Sequence, residues 1–406
     1  MGKYMLLAAL AAQTMAAPLD MSTGDLETRQ AKMPQFKSAT YIGNVTDPNL
    51  DRDSCGSVRI GTRAFWTCRD TMVNKNGVSV LPVISSTVGW TDPQSKGGPV
   101  IKTTGNPVGV GSTGTSPILQ MYGYPRTDNI VPYFPLTASE CNTNVAGACP
   151  DGSRWAIWPD SPPLISQTSS NGASAVGYTW VPKAHLYGFL QTYTPQPAAS
   201  LYRSTYLATT NKNTLPSVRL IAEEFWKTSE INFGRYGGVT RNGVTYMYGQ
   251  ANPGVGTSTC LARVTSTRVE QRASYQYYNN TAKSWSNTMP SINSTDCGLP
   301  NAGAGGQGTF YYSTYYASYV WIGQAELEPV ANFYISTAPA PEGPWVKPYL
   351  LWQGQNGDAF VGAYTLQAHP SLLPSNNAAE NGIYLSYTKP MATGPYTTPL
   401  VYVQFA

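Results

Sequence analysis

Hydrophobic and aromatic residues recur along the chain in short runs that are bounded by glycine, asparagine, proline or serine. Clear examples are residues 63–67, 78–85, 244–249, 319–324 and 383–388. These runs mix β-branched and aromatic residues over the length of a single strand, which is typical of β-sheets. The best helical segment, residues 220–226, is too short to carry a helical bundle. The pattern therefore predicts an all-β protein.

The spacing of the aromatic strand centres suggests a repeat. Intervals of roughly 55 to 75 residues separate Trp66, Tyr122, Trp180, Tyr246, Trp321 and Tyr384. One four-stranded sheet per interval is what a propeller blade needs. A two-domain β-sandwich would explain the strands but not their spacing. We therefore expect a single β-propeller of five or six blades over residues 37–406.

The N-terminus has the features of a secretory signal. Lys3 precedes an apolar stretch, and small residues allow cleavage after Ala16, so residues 1–16 are predicted to be a signal peptide. Residues 17–36 are expected to be flexible, either as a pro-segment trimmed after Arg29 or as a disordered tail. No later segment is long and apolar enough for a membrane anchor, so we expect a protein of the secretory pathway or the extracellular space.

Cysteines and sequons agree with secretion. Asparagines of three Asn-X-Thr sequons, Asn44, Asn279 and Asn293, are candidate glycan acceptors. Six cysteines in an oxidising compartment favour three disulfides, and of the 15 pairings possible we favour pairing between sequence neighbours. These pairs are Cys55 with Cys68, Cys141 with Cys149, and Cys260 with Cys297.

The composition limits which partners, metals and cofactors are expected. Charged residues are 12% of the chain, and the net charge of +4 is spread without basic clusters, so no nucleic-acid partner is expected. Two histidines and no CxxC pair give no support to a metal site, and no cofactor motif is present. Many aromatic residues and few charges favour sheets that line an apolar or sugar-binding cavity.

Asp53 and Asp70 are the most interesting carboxylates. They lie in the segments RDSCGS and FWTCRDT, and Asp70 directly follows a predicted strand. In a propeller, strand ends near the axis point into the central pocket, where two carboxylates would suit glycoside hydrolysis. The alternative is structural: these aspartates, with Asp51, cap turns or pair with Arg52 and Arg69.

Other residues are candidates for the same pocket. Arg69, Lys227 and His369 are possible hydrogen-bond donors or proton carriers, together with the two aspartates. Residues on or beside aromatic strands are candidates for substrate binding: Trp66, Glu223, Tyr246, Trp321, Tyr364 and Tyr387.

Several motifs resemble a propeller family first catalogued as a domain of unknown function, which includes secreted endo-D-arabinanases. They are SATYIGNVTDPNLDRDSCGS, FWTCRDT, FGRYGGVTRNGVTYMYGQ, AELEPVANFYISTAPAPEGPW and YTLQAHPSL with IYLSYTK. The resemblance runs from about residue 38 to the C-terminus. It implies a site in the central funnel and places the two catalytic aspartates on Asp53 and Asp70. Here each aspartate follows an arginine, unlike the hydrolase pattern, and this neighbour is expected to hold the aspartate ionised.

The version with RDSCGS and CRDT also resembles a second group, the secreted fungal hetero-Diels–Alderases of tropolone–sesquiterpenoid biosynthesis. That resemblance implies a cofactor-independent pericyclase that joins a tropolone o-quinone methide to a humulene-type sesquiterpene by [4+2] cycloaddition. Such a reaction needs an aromatic-walled cavity that holds two apolar partners in a reactive pose, and a few donors to polarise the heterodiene oxygen.

Three functions therefore follow from the sequence. The first is the pericyclase, which we favour at this stage. The second is a glycoside hydrolase of furanose polymers that uses Asp53 and Asp70. The third is a carbohydrate-binding propeller without catalytic activity.

Overall fold

The chain is described by a computed structural model that covers most of the sequence after its N-terminal segment. The described ranges are 32–45, 50–75, 78–102, 117–124, 130–142, 146–188, 190–252, 256–326, 328–374, 381–392 and 396–406. The predicted signal peptide and residues 17–31 of the predicted flexible segment lie outside them. Within these ranges the secondary structure consists of strands and three short 3-10 turns, which confirms the all-β prediction.

The strands are numbered β1 to β27 in chain order. Their bounds are β1 Phe36–Asn44, β2 Leu50–Arg52, β3 Gly56–Ile60, β4 Arg63–Cys68, β5 Thr71–Lys75, β6 Val78–Ile84, β7 Thr87–Thr91, β8 Ile101–Lys102, β9 Ile118–Leu119, β10 Arg154–Ile157, β11 Leu164–Thr168, β12 Ser174–Tyr187, β13 Gln191–Thr192, β14 Ala199–Leu207, β15 Ser217–Trp226, β16 Gly238–Arg241, β17 Val244–Ala251, β18 Ser258–Thr265, β19 Gln276–Asn279, β20 Ser284–Ser286, β21 Gly305–Ser313, β22 Ser318–Ala325, β23 Asn332–Ala338, β24 Tyr349–Gln353, β25 Tyr364–Ala368, β26 Gly382–Thr388 and β27 Pro399–Phe405. The 3-10 turns are Ala138–Glu140, Arg272–Ser274 and Pro370–Leu372.

The strands form sheets that follow one another along the chain. β2, β5 and β6 form one sheet, and β3, β4 and β7 a second. A larger sheet has the order β10-β12-β14-β15, with β11 and β13 also paired to β12. The strands β16 to β20 form the next sheet, and β21 to β24 the one after it. Sheets built in succession from neighbouring strands form the β-propeller that the spacing predicts; the number of blades stays a prediction.

The last sheet brings the two ends of the described chain together. Its order is β25-β26-β27-β1-β9-β8, so the first strand pairs with the last. The pairing is antiparallel and runs from Phe36 opposite Phe405 to Asn44 opposite Pro399. Hydrogen bonds between the ends of the chain close the ring of sheets and remove two exposed strand edges.

The five runs that predicted strands all form strands. Asn242 and Gly243 join β16 to β17, and both have positive φ, as a two-residue hairpin turn requires. The segment with the best helical pattern, residues 220–226, lies in β15 instead. It pairs with β14, and its Phe225 and Trp226 are buried in the core, so tertiary packing decides its conformation.

The three predicted disulfides are present: Cys55–Cys68, Cys141–Cys149 and Cys260–Cys297. The first lies at the start of the hairpin formed by β3 and β4, and both cysteines are buried. The core between the sheets is aromatic and aliphatic, and its largest fully buried side chains include Trp66, Trp90, Trp180 and Trp226. Among the described residues no helix is long and apolar enough to cross a membrane.

Candidate active site

Two polar segments converge beside the Cys55–Cys68 disulfide. The backbone N–H of Asp53 donates to the carbonyl of Asp70 at 3.0 Å, and the N–H of Arg69 donates to the carbonyl of Asp53 at 3.0 Å. The disulfide follows Asp53 by two residues and precedes Asp70 by two, so it ties the two segments covalently. The structure therefore brings the two predicted aspartates together on a rigid frame.

Asp53 is a buried carboxyl with an unusual environment. One oxygen, Oδ2, accepts a bond of 2.8 Å from the Tyr364 hydroxyl, and Oδ1 has no hydrogen-bond partner in the structure. Burial raises the pKa of Asp53 to about 6; the charge of Arg69 opposes the shift, and the charge of Asp70 adds to it. A carboxyl with this pKa is protonated for part of the time near neutrality, as a general acid must be.

Asp70 is held differently. Its Oδ1 accepts two bonds, one of 2.7 Å from the Arg154 guanidinium and one of 2.8 Å from the Trp158 indole N–H. Both donors come from or follow β10, in another sheet, so the position of Asp70 depends on the packing of two sheets. The two aspartates are thus close together but differ in their partners: a tyrosine hydroxyl for one, and an arginine and an indole for the other.

A third carboxylate, Asp160, lies between two arginines. It accepts a bond of 2.7 Å from Arg69 on Oδ1 and one of 2.6 Å from Arg235 on Oδ2. Burial alone would raise its pKa, but the two guanidinium groups outweigh burial and lower it. Asp160 is therefore an ionised anchor. Sequence reasoning missed it, although it follows the aromatic segment WAIWP as Asp70 follows FWTCR.

Arg69 holds the centre of this cluster together. Besides Asp160, it donates through one terminal nitrogen to the hydroxyls of Ser54 and Thr365, both at 2.6 Å. Ser54 and Thr365 each have a φ of 52°, a left-handed conformation that costs energy for any residue with a side chain, and most for a β-branched one. Such strain persists where surrounding contacts enforce it and is common at functional sites.

The bulge in β25 at Thr365 places Tyr364 for its bond to Asp53. The register of β25 against β26 shifts between Tyr364 and Gln367, so the strand bends there. The pKa of Tyr364 is raised by burial and by the neighbouring charge of Asp53, so its hydroxyl keeps its proton and donates to the carboxylate.

The expectation that each neighbouring arginine holds its aspartate ionised is corrected by the structure. Arg52 contacts the Met121 sulfur at 3.8 Å and lies 6.0 Å from the Tyr124 ring, away from the face that carries Asp51 and Asp53. Successive side chains on a strand point to opposite faces, which separates them. Arg69 likewise bonds to Asp160, while Asp70 has Arg154 as its partner.

Asp51 extends the acidic cluster behind Asp53. It is buried, and its Oδ2 accepts a bond of 2.7 Å from the Ser79 hydroxyl. Burial raises its pKa to about 7, and the charge of Asp53 adds to the shift. The Tyr396 side chain lies beside these carboxylates; burial and the charges of Asp53, Asp70 and Asp51 raise its pKa.

The environment of His369 differs from that of the aspartates. The side chain is fully buried against Trp66, and its two nitrogens bond to the hydroxyls of Ser57 at 2.8 Å and Ser386 at 2.7 Å. Burial lowers its pKa to about 3, so it stays neutral. With both nitrogens occupied and no exposed surface, His369 is a packing residue, which corrects its prediction as a proton carrier.

Most of the predicted substrate-binding residues also lie elsewhere. Trp66, Trp321 and Tyr387 are core residues with 3% or less of their surface exposed, because their strands are covered on both faces. Tyr246, on β17, packs with Trp285 of its own sheet and with Tyr319 of the next sheet. Tyr364 is the member of the set that meets a predicted catalytic aspartate.

Lys227 and Glu223 are also separate from the cluster. Glu223 has 53% of its side chain exposed and pairs with Lys183 at 3.4 Å. Lys227 is exposed at the end of β15, where its backbone N–H donates to Glu230. The structure therefore gives neither residue contact with Asp53 or Asp70, because β15 lies at the outer edge of its sheet.

The sequons differ in accessibility. Asn293 is exposed and Asn279 is half-buried, and both stay candidate glycan acceptors. Asn44 is 2% exposed in the strand that pairs with β27, which leaves no room for a glycan in the folded chain. Among the described residues, no group of three or more histidine, cysteine, aspartate or glutamate side chains is arranged to hold a metal ion.

Comparison with known proteins places the chain in a family and a fold. Residues 172–389 match the family described as "Domain of unknown function (DUF5005)". No curated protein matches the sequence. The structure is similar to the "putative hydrolase" of Bacteroides ovatus, at a TM-score of 0.52 and 11% identity, over 89% of this chain and 87% of that one.

Two weaker structural similarities involve named glycoside hydrolases. One is a GH43_1 enzyme from Xanthomonas citri, with a TM-score of 0.42, 8% identity, and coverage of 89% of this chain and 90% of that chain. The other is the catalytic domain of a GH62 α-L-arabinofuranosidase from Coprinopsis cinerea. Its TM-score is 0.40 at 10% identity, with 92% of this chain and 96% of that chain covered.

Proposed function

We propose that this protein hydrolyses a glycosidic bond with Asp53 and Asp70. The chain belongs to the family described as "Domain of unknown function (DUF5005)", and this description names no activity. The proposal therefore rests on the geometry of the site. The observation that carries the proposal is the contrast between two neighbouring carboxyl groups. Asp53 has a pKa raised to about 6, while Asp70 is held by Arg154 and Trp158. Pairs of carboxyl groups in contrasting environments are how glycosidases divide the roles of acid and base.

In this mechanism Asp53 donates its proton to the leaving-group oxygen. Burial raises the pKa of Asp53 to about 6, so part of the population carries the proton near pH 6, and the Tyr364 hydroxyl donates to the carboxylate that remains after proton transfer. Asp70 acts on the opposite side of the bond, either as the nucleophile or as the base for water. Arg154 and the Trp158 indole orient it for that role.

Arg69 and Asp160 serve as the frame of the site. Arg69 places a positive charge beside Asp53 and fixes the backbone at Ser54 and Thr365 through its hydrogen bonds. Asp160 keeps Arg69 in place and is itself ionised. The frame therefore supplies positioning and electrostatic balance, and the reacting groups are Asp53 and Asp70.

The substrates that we propose first are furanose polymers such as arabinan. The motif resemblance to endo-D-arabinanases favours them, and the name hydrolase given to the Bacteroides ovatus protein agrees with this class of reaction. The comparisons give no support to the resemblance to hetero-Diels–Alderases. Trp66, Trp321 and Tyr387, which were expected to wall its cavity, lie in the core.

The test is release of reducing ends from linear arabinan by the purified protein and its variants. Asp53→Asn and Asp70→Asn should each reduce the rate by about 100- to 10,000-fold, because each removes one of the two reacting groups. The matched control is Asp296→Asn, an exposed aspartate outside the site, which should keep full activity. Folding of each variant is checked by its thermal unfolding.

Two outcomes would contradict the proposal. Full activity in both site variants would show that hydrolysis takes place elsewhere. No release from arabinan or from other furanose and pyranose polymers would remove the hydrolase function. Sugar binding without turnover would instead favour the carbohydrate-binding propeller, and stereoselective formation of a tropolone–sesquiterpene adduct would favour the pericyclase.

A further inference from the structure

A pocket that is open to solvent lies between the loop of residues 227–237 and the strand β17. Its lining consists of Gln196, Asn232, Arg235, Tyr236, Gly249 and Gln250. Arg235 connects this pocket to the candidate site, because its Nε donates to Asp160 at 2.6 Å and Asp160 also accepts from Arg69. A ligand in the pocket therefore lies next to the frame of the site.

Arg235 has more hydrogen-bond donors than its protein partner uses. A guanidinium carries N–H groups on three nitrogens, and only the one on Nε bonds to Asp160. The two terminal nitrogens have no hydrogen-bond partner among the described residues, and neither is enclosed, since 34% of the side chain is exposed. The N–H groups of both terminal nitrogens are therefore available to a ligand.

The charge of Arg235 is only partly compensated. Asp160 is shared between two guanidinium groups: its Oδ1 accepts from Arg69 at 2.7 Å, and its Oδ2 accepts from Arg235 at 2.6 Å. In the described part of the chain, Asp160 is the acidic side chain whose charge acts on Arg235, and the pocket lining contains no carboxylate. The charges of Asp53 and Asp70 act on Arg69. An uncompensated guanidinium at a pocket wall favours an anionic ligand.

Tyr236 adds a second donor to the same pocket. The guanidinium carbon of Arg235 lies 5.0 Å from the centre of the Tyr236 ring, so the two side chains lie side by side. The Tyr236 hydroxyl has no hydrogen-bond partner within the ranges that the structure describes. Burial raises the pKa of Tyr236, and the charge of Arg235 opposes the shift, so the hydroxyl keeps its proton and can donate.

The loop that carries both donors is held tightly. Gly234 has a φ of 87°, and a Cβ there would lie 2.4 Å from the Trp180 ring, so only glycine fits. The Gly234 N–H also donates to the Tyr248 carbonyl at 2.9 Å, which joins the loop to β17. Arg235 and Tyr236 are therefore presented in fixed positions, which lowers the entropy cost of binding a ligand.

The arrangement of these donors selects a planar anion with a single charge. The terminal nitrogens of a guanidinium form a fork that matches the two oxygens of a carboxylate. A doubly charged phosphate would be repelled more strongly by Asp160, which is bonded to the same guanidinium. In a pocket beside a site for glycosidic hydrolysis, the sugar that offers a carboxylate is a uronic acid.

We propose that Arg235 binds the carboxylate of a uronic acid ring of the substrate through its two terminal nitrogens, with the Tyr236 hydroxyl as a further donor. The preferred substrate is then a glycan in which a uronic acid lies next to the ring whose bond is cleaved. The place of this ring in the reaction rests on the glycoside hydrolase function. Binding is measured apart from turnover, so the two proposals can fail independently.

The test uses acidic and neutral forms of the same sugars. The probes are di- and trisaccharides of galacturonate and of glucuronate, and the methyl ester of each, which has the same rings without the charge. Binding is measured by calorimetry in the Asp70→Asn background, which prevents turnover. Hydrolysis of acidic glycans and of arabinan is measured in the protein that retains Asp70.

Two variants change the pocket in different ways. Arg235→Lys keeps the positive charge and loses the fork, whereas Tyr236→Phe removes one hydroxyl and leaves the ion pair with Asp160 intact. The matched control is Arg241→Lys. Arg241 lies at the other end of β16, 3.6 Å from the centre of the Tyr312 ring and outside the pocket. Thermal unfolding is followed for every variant.

Each uronate that binds should do so at least about tenfold more tightly than its methyl ester, and added salt should narrow the difference. Arg235→Lys should weaken binding of the acid by about tenfold, because one of two hydrogen bonds is lost, and leave the affinity for the ester unchanged. Tyr236→Phe should weaken binding of the acid by about threefold, and Arg241→Lys should bind as the parent does. A merely structural arginine would instead lower the affinity for acid and ester alike.

Other results overturn one proposal or the other. No binding of any uronate, equal binding of acid and ester, unchanged affinity for the acid in both pocket variants, or equal weakening by Arg241→Lys would overturn the uronate site. Displacement of the uronate by inorganic phosphate or sulfate at equal concentration would overturn it in favour of a general anion site. Binding that depends on Arg235 without hydrolysis of any glycan would retain the uronate site and remove the hydrolase function. Hydrolysis of arabinan without any preference for the acid would do the reverse.

Discussion

Asp51 and Asp53 show how a single residue's surroundings determine its chemistry. They lie two positions apart and therefore on the same side of the extended chain at β2, and both are buried. Arg52 lies between them in sequence, but the alternation of side chains along a strand directs Arg52 away from both. Burial outweighs the remaining charges and raises the pKa values of Asp51 to about 7 and of Asp53 to about 6.

The raised pKa of Asp51 predicts a pH-dependent stability. The folded chain holds a proton on Asp51 up to about pH 7, whereas the unfolded chain releases it near pH 3.8. The contribution of Asp51 to the free energy of unfolding is therefore at its full value, up to about 4 kcal/mol, below pH 3.8. It is lost as the pH rises through 7. Asp51→Asn removes this loss, so the free energy of unfolding of the variant should increase relative to wild type between pH 4 and pH 8.

Urea unfolding at pH 4 and pH 8 measures this difference. Asp296→Asn, at an exposed position, is the control and should follow wild type at both pH values. A difference between Asp51→Asn and wild type that stays constant with pH, or that shrinks toward pH 8, would show that the pKa of Asp51 is not raised.

The candidate site was partly predictable at the residue scale. Asp53, Asp70, Arg69 and Tyr364 are in the cluster, because strand ends beside a cysteine pair give a local signal. Asp160, Arg154 and Arg235 were missed, because their partners are far away in sequence: 91 residues separate Arg69 from Asp160, and 84 separate Asp70 from Arg154. The burial of Trp66 and His369 was missed because an aromatic strand has the same sequence pattern whether it lines a cavity or a core.

At the scale of elements, the hairpin of β3 and β4 is the support of the site. The two strands pair from Gly56 opposite Thr67 to Ile60 opposite Arg63. The Cys55–Cys68 disulfide and the two backbone bonds between Asp53, Arg69 and Asp70 extend this pairing beyond the hairpin. The strands and the disulfides were both predicted, since alternating aromatic runs and neighbouring cysteines are local signals.

We expect the Cys55–Cys68 disulfide to support hydrolysis as well as stability. Replacing Cys55 and Cys68 by serine frees a loop with a sequence separation of 13 residues, which should cost about 3 kcal/mol of stability. It should also lower hydrolysis strongly at a temperature where the variant is folded, because Asp53 and Asp70 lose their fixed spacing. Chemical unfolding and arabinan hydrolysis measure the two effects.

The control is the pair Cys260 and Cys297, which closes a loop with a sequence separation of 37 residues, begins on β18 and contacts neither aspartate. Serine at both positions should cost stability to a similar degree and leave the rate per folded molecule unchanged. Equal loss of activity in the two variants would refute a special role for the Cys55–Cys68 disulfide.

At the scale of the whole molecule, the ring of sheets is closed by the pairing of β1 with β27. The apolar residues of β27 complete the core: Leu400, Val401, Val403 and Phe405 are buried. The propeller was predictable from the repeat of aromatic strands, but this closure was not, because the two strands are more than 350 residues apart in sequence. Long-range pairing depends on how all the intervening sheets pack.

Closure predicts that the last strand is essential to the fold. Ending the chain after Thr398 removes β27, which exposes the strand edges of β1 and β26 and opens the core. The truncated protein should therefore aggregate or lose its cooperative unfolding transition. Removing only Ala406 should leave the transition unchanged. A cooperative transition at the wild-type temperature after removal of β27 would contradict the role given to this pairing.

The division of labour between Asp53 and Asp70 is tested most directly by hydrolysis of two substrates with different leaving groups, arabinan and 2,4-dinitrophenyl arabinofuranoside. A dinitrophenolate leaves without a proton, so the account predicts that Asp53→Asn loses activity on arabinan but keeps most of it on the aryl glycoside, while Asp70→Asn loses both. Equal losses on both substrates in Asp53→Asn, or full activity in Asp70→Asn, would contradict the account.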